Sequence, residues 1–346
     1  MRLTKVLALA FALPALMAAA GCETVMAADA ERKFPVQGRL VEVGQGRHIQ
    51  IDCRGQGSPT VVFQSGGDML GSLAWTPVHD RIAQTARACA YSRAGVLWSD
   101  RASGRFEPEE VARDLHAALD AAGERGPYVL VAHSRGGLYN MIFAGLYPDD
   151  IAGLVFADSS HPDQEQRFAA AGVPKRPYVS FGEEAALAFG WTGVLRLADY
   201  PADASIAEPV RAYYPKSAAA NAREARARAE TLTVAGRYRD LRNWPVIVLA
   251  REMPEQSAAR AAADARDAPL LSSDGGADDL VNAPKNEEVW RELQADLATW
   301  SSRGRLVVVP NSNHAFFFSK PDVVVGAVNE VVAAARVVRR PVPLPE

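Results

Sequence analysis

The chain has 346 residues, 48% of them hydrophobic, and balances 38 Lys and Arg against 41 Asp and Glu for a formal net charge of -3. That length and apolar content build one large core with an insertion, or at most two domains. The charge balance, with a pI near 6.1, lacks the basic excess expected of a nucleic-acid-binding protein.

Residues 1–30 read as a targeting segment. Arg2 and Lys5 form a positive start, and Val6 to Ala20 an apolar run interrupted by Pro14, too short for a membrane span. Ala19-Ala20-Gly21-Cys22 resembles a lipobox, with Ala19 in the place of the usual leucine, and Cys22 would then be lipidated. Ordinary signal cleavage after Ala27 or Ala30 is the alternative. Both routes predict an exported chain, periplasmic or anchored to the cell envelope, with membrane contact only through a lipid on Cys22 on the first route. A polar tether is expected as far as Gln37.

Arg39–Val43 and His48–Cys53 alternate apolar and polar residues around Gly44-Gln45-Gly46, the pattern of a hairpin. Pro59–Gln64 is a buried strand running into Ser65-Gly66-Gly67-Asp68. A helix follows over Trp75–Ala86 and a strand over Arg87–Tyr91. Pro108–Ala122 is amphipathic, with Val111, Leu115, Leu119 and Ala122 on one face and acidic residues in the first turn.

Tyr128-Val129-Leu130-Val131 is short and apolar enough for a buried parallel strand. It breaks at Ala132-His133-Ser134-Arg135-Gly136-Gly137 and resumes as an apolar helix that stops at Tyr147-Pro148. Strand, tight small-residue turn and helix form the setting of a G-x-S-x-G nucleophile elbow, with Ala132 at the first small position. Ile151–Ala157 is a further buried strand, ending at Asp158. Strand rhythm then disappears from about 164 to 242. A helix over Ser217–Ala235 carries Arg223, Glu224, Arg226, Arg228 and Glu230, charges expected to cover a solvated face. Pro245–Ala250 is the next strand, and an Ala-, Asp- and Ser-rich stretch to about Lys285 a loop or loose helix. A helix over Glu288–Trp300, a strand over Arg305–Pro310 and a closing helix over Pro321–Val337 complete the chain. Among six histidines, only His314 stands just past the final strand.

From about Gly38 to Val338 these features resemble an α/β-hydrolase-fold serine hydrolase. Ser92-Arg93-Ala94-Gly95 with Trp98-Ser99-Asp100 is similar to that family's Y-D-R-x-G-x-G-x-S block, with Ser92 replacing aspartate and Leu97 the second glycine. The resemblance implies an α/β fold: a mostly parallel sheet flanked by helices, formed by 38–163 and 243–338. It places a helical cap over 164–242, after the sixth strand, with Phe181, Phe189, Trp191 and Tyr200 as candidates to line a pocket, and leaves 339–346 as a disordered tail.

The resemblance also implies roles. Ser134 would be the nucleophile, His314 the general base, and the N–H groups of Gly67 and Arg135 the oxyanion donors. The catalytic acid would follow the sixth strand, at Asp158, or the seventh, at Glu252. Asp158 is preferred because it is shorter and anchored at a strand terminus. The second and fourth strands of such a sheet are neighbours, which predicts a disulfide between Cys53 and Cys89. The expected reaction is cleavage of a small-molecule ester or related acyl bond through an acyl-enzyme. No cofactor or metal is expected, since the chain has no H-E-x-x-H, no paired-cysteine metal pattern and no G-x-G-x-x-G after a strand. A serine nucleophile disfavours the dehalogenase and epoxide-hydrolase branches. Acyltransferase, peptidase and perhydrolase activity use the same residues, and a non-catalytic binding protein on this scaffold is the alternative from another class.

Overall fold

The computed structural model describes residues 25–173, 184, 188, 204–252 and 283–338. Cys22, the tail 339–346 and the pocket candidates Phe181, Phe189, Trp191 and Tyr200 lie outside them.

Eight strands form one sheet in the order β1-β2-β4-β3-β5-β6-β7-β8. They are β1 (Arg39–Glu42), β2 (His48–Arg54), β3 (Thr60–Gln64), β4 (Ala88–Ser92), β5 (Tyr128–His133), β6 (Ile151–Ala157), β7 (Pro245–Arg251) and β8 (Arg303–Val309). Only β2 runs against its neighbours β1 and β4; every other pair is parallel. The central strands are apolar throughout because both faces of the sheet are covered. Val61, Phe63, Val129, Val131, Val155, Ile247 and Leu249 pack into one core. Their alternates Val62, Leu130, Leu154, Phe156, Val246 and Val248 pack into a second, as the two-residue period of a strand requires.

Besides the helical stretch 25–33, nine helices of defined range beyond β1 follow the register of their apolar positions. They are α1 (Thr76–Ala83), α2 (Pro108–Ala121), α3 (Gly136–Leu146), α4 (Gln164–Ala170), α5 (Ala204–Arg226), α6 (Arg228–Ala235), α7 (Ala283–Ala298), α8 (Phe316–Ser319) and α9 (Pro321–Val338). Residues of α1 and α9 pack in the first core, those of α2, α3 and α6 in the second.

Three sequence expectations change in the folded chain. The segment before Gln37 is not a free tether: residues 25–33 are helical, and Ala30 is 3% exposed within the first core. Phe34 then accepts hydrogen bonds at its carbonyl from Trp98 Nε1 (2.9 Å) and the Tyr213 hydroxyl (3.2 Å). The helix expected over Ser217–Ala235 is two helices, parted at Ala227. And Glu224, expected on a solvated face, is buried, because guanidinium groups from two other elements meet it there.

Candidate active site

All parallel strands end on one edge of the sheet, and the expected site residues stand just past those ends, where open α/β sheets leave a crevice. Ser65–Gly67 follow β3, Ser134 follows β5, Asp158 follows β6, and His314 lies beyond β8.

Ser134 occupies the left-handed region, with φ of 50°, a conformation that costs a non-glycine residue about 1–3 kcal/mol. The surroundings hold it there. Its carbonyl accepts from Gly137 N (3.0 Å) and Ser160 N (2.9 Å). A Cβ at Gly136 would stand 2.5 Å from the Ser65 carbonyl oxygen, and one at Gly137 2.5 Å from the Ser159 Cβ. Two glycines are therefore needed for α3 to start this close to the ends of β3 and β6. The N–H groups of its first turn leave positive potential beside Ser134. Ala132 is fully buried and paired with Gln64 and Phe156, so the elbow forms with a methyl group at its first small position.

His314 Nδ1 donates to Asp158 Oδ2 at 2.6 Å. Asp158 is wholly buried, and both its oxygens are occupied. Oδ1 accepts from Trp290 Nε1 (2.8 Å) and Arg251 N (3.0 Å), and Oδ2 also accepts from Arg251 Nη1 (2.6 Å). Burial alone would raise the Asp158 carboxyl; the Arg251 charge and the His314 and Trp290 hydrogen bonds outweigh it and hold the group well below the usual carboxylate range. Its contribution to stability is thus present above the ordinary value near 3.8 and lost only as pH falls through the lowered folded one. Arg251 in turn pairs with Glu287 (2.9 Å) and lies 4.8 Å over the Trp290 ring. Glu252, the other candidate acid, is exposed; its backbone joins Val309 and Ser312, while Asp158 holds the His314 Nδ1.

Reasoning from sequence did not find Arg251, Trp290 or His133. The His133 ring lies 4.4 Å from that of His314 and donates through Nε2 to the His314 carbonyl (2.9 Å), bracing the loop that carries His314. A histidine directly before the elbow serine was the available signal. His161, Asp163 and Asp296 also converge, but Arg239 holds both oxygens of Asp163, at 2.6 and 2.5 Å, so that carboxylate is committed.

A carboxyl in the loop after β3 has a measurable effect on stability. Asp68 is buried, with Oδ1 accepting from Leu70 N (2.9 Å) and Gly71 N (3.2 Å) and Oδ2 without a hydrogen-bond partner. Burial pushes it up to about 6, against the lowering effect of Arg93 and the two backbone donors. Because the folded value lies above the ordinary 3.8, stability present below that value is lost as pH rises from about 4 through 6. At ~1.4 kcal/mol per pKa unit the loss is about 3 kcal/mol. Asp68→Asn keeps the acceptor for Leu70 and Gly71 without a charge. It should be about 3 kcal/mol more stable than wild type at pH 8 and less than about 1 at pH 4. Urea unfolding at both values checks this; an equal difference at both would rule out ionisation as the cause.

A sequence model of the alpha/beta hydrolase fold family matches residues 59–321. The protein named "Probable transporter efuK" of Hormonema carpetanum is 33% identical over 128 residues, 35% of this chain and 18% of that protein. The protein YbdG of Bacillus subtilis is 25% identical over 140 residues, 40% and 43% of the two chains. The chain spans less than half the length of the curated relatives it matches. Among solved structures, a thermophilic esterase from Thermogutta terrifontis superposes with a TM-score of 0.54 at 19% identity, over 87% of this chain and 99% of that one. At that identity the likeness is one of fold. With the match to the family model, the sheet order and the strand-end placement of Ser134, Asp158 and His314, the chain belongs to the alpha/beta hydrolase fold family.

Proposed function

We propose that the protein is a serine hydrolase that cleaves a carboxylic ester or a related acyl bond through an acyl-enzyme on Ser134. The observation that carries the reading is the His314–Asp158 hydrogen bond, set at the same sheet edge as a serine held at positive φ. A serine hydroxyl is a weak nucleophile until a base removes its proton. His314, with Nδ1–H committed to Asp158, presents Nε2 as that base. The Ser134 oxygen attacks the acyl carbon, its proton passes to His314, and the carbonyl oxygen becomes an oxyanion facing the Gly67 and Arg135 N–H groups. His314 returns the proton to the departing alcohol. Water then attacks the acyl-enzyme with the same base, releasing the acid and restoring Ser134. Each step uses side chains and backbone of this chain and water.

A fluorophosphonate probe tests the reading. It should label the wild-type chain once, on the peptide containing Ser134, and leave Ser134→Ala unlabelled. Equal labelling of the two proteins would remove Ser134 from the mechanism.

A further inference from the structure

Arg93 is 3% exposed, and all five of its N–H donors are engaged. Nε and Nη2 grip the two carboxylate oxygens of Glu224, at 2.8 and 3.0 Å. On the other side Nη1 donates to the Ser65 carbonyl (2.7 Å) and Ser65 Oγ (3.0 Å), and Nη2 to the Gly66 carbonyl (2.6 Å). The guanidinium is thus a planar bridge between α5 and the loop after β3. The consequence follows from peptide geometry. In a trans peptide the C=O and the following N–H point in opposite directions, and the only cis bonds among the described residues are at Pro59 and Pro127. With the Ser65 and Gly66 carbonyls drawn onto Arg93, the N–H groups of Gly66 and Gly67 are turned to the side away from it. Gly67 N–H is the donor assigned above to the oxyanion.

Glu224 fixes Arg93 in turn. It lies on the stretch between β6 and β7 and is buried. Its Oε2 also accepts from Arg135 Nη1 (3.3 Å) and the Tyr139 hydroxyl (3.2 Å). Arg135 follows the nucleophile, and its guanidinium lies so close over Gly67 that a Cβ there would stand 2.6 Å from Nη2. One carboxylate therefore orients two guanidinium groups, one beneath the oxyanion loop and one across it.

We infer that Glu224 is a positioning residue for the oxyanion loop, acting through Arg93 to aim the Gly67 N–H at the developing oxyanion. This rests on the reading of Ser134 as an acylated nucleophile. Its effect belongs to the transition state, because the aimed N–H meets full negative charge only when the tetrahedral oxyanion forms.

The test uses the full chain and a p-nitrophenyl ester that wild type turns over, with an aryl trifluoromethyl ketone as mimic of the tetrahedral oxyanion. Glu224→Gln keeps the side-chain shape but turns an amide toward Arg93. It should lower kcat by roughly 10²-fold, the scale of losing one oxyanion donor. KM should stay within about threefold, and ketone affinity should weaken in parallel with kcat/KM. Arg93→Lys keeps the charge opposite Glu224, and with it the pair, but a single ammonium cannot span two carbonyls and a carboxylate. It should show the same split, and it decides the question if Glu224→Gln does not fold. A folded variant with kcat and ketone affinity near wild type, or with its loss confined to KM, would overturn the inference. Absence of fluorophosphonate labelling on wild-type Ser134 would overturn the underlying reading instead.

Discussion

Asp158→Asn is expected to leave the chain folded and to cut turnover about 10⁴-fold. Every group facing the two carboxylate oxygens is a donor: Arg251 N and Trp290 Nε1 at Oδ1, Arg251 Nη1 and His314 Nδ1 at Oδ2. An amide cannot satisfy that arrangement in either orientation. With its NH₂ toward His314, it asks Nδ1 to accept, which puts the imidazole proton on Nε2 and removes the lone pair that must take the Ser134 proton. With its oxygen toward His314, the NH₂ confronts two N–H groups at the other side. The half-buried Arg251 also loses one of its two anionic partners and keeps Glu287, so thermal unfolding should accompany the kinetics to show that the variant is native. Glu252→Gln changes an exposed side chain and should leave turnover near wild type. The opposite pattern, collapse in Glu252→Gln with activity retained in Asp158→Asn, would transfer the acid to Glu252.

Removing the disulfide should cost about 4 kcal/mol. Cys53 and Cys89 face each other across the antiparallel pair β2 and β4 and are joined in the structure, closing a loop of 36 residues. Cross-linking a loop of that length removes conformational entropy from the unfolded chain worth about 4 kcal/mol in the chain-entropy account. Cys89 is fully buried, so a double replacement by alanine keeps both Cβ atoms in place while releasing the constraint. Urea unfolding of Cys53→Ala/Cys89→Ala against wild type measures the loss; a change below about 1 kcal/mol would set the constraint aside. Alkylation of the unreduced, denatured chain should leave both cysteines unmodified, whereas two added groups would mean free thiols. Disulfides persist in oxidising compartments, so the bond belongs with the proposed export. The packing of Ala30 bears on where an exported chain would begin. Processing at Cys22 or after Ala27 keeps the buried Ala30; a chain beginning at Glu31 would lack it and contradict that packing.

Much of the fold is legible in the sequence, because its signals are local. A two-residue alternation marks which side of β2 is apolar, an unbroken apolar run marks β3 as covered on both faces, and a three-to-four-residue period marks the inner face of α2. The elbow was legible for a similar reason: strand, serine turn and helix occupy about twenty consecutive residues, and Gly136 and Gly137 report a close approach whatever lies opposite. Boundaries moved where two elements abut. The turn at Ala227 divides what the charge pattern had presented as one helix.

Local sequence alone encodes the strand and helix pattern and the elbow at Ser134. These depend on periodicity and on a short motif, so nearby residues encode them. Tertiary structure decided which carboxylate stands against His314, since the contact joins residues 156 positions apart. It likewise brought Arg251 and Trp290 to Asp158 across 93 and 132 positions. Glu224 is the plainest case. Its neighbours in the chain predict a solvated helix face, yet Arg93, 131 positions away, supplies the charge that lets it be buried. Burying an ion requires a partner, and the identity of that partner is a property of the folded chain.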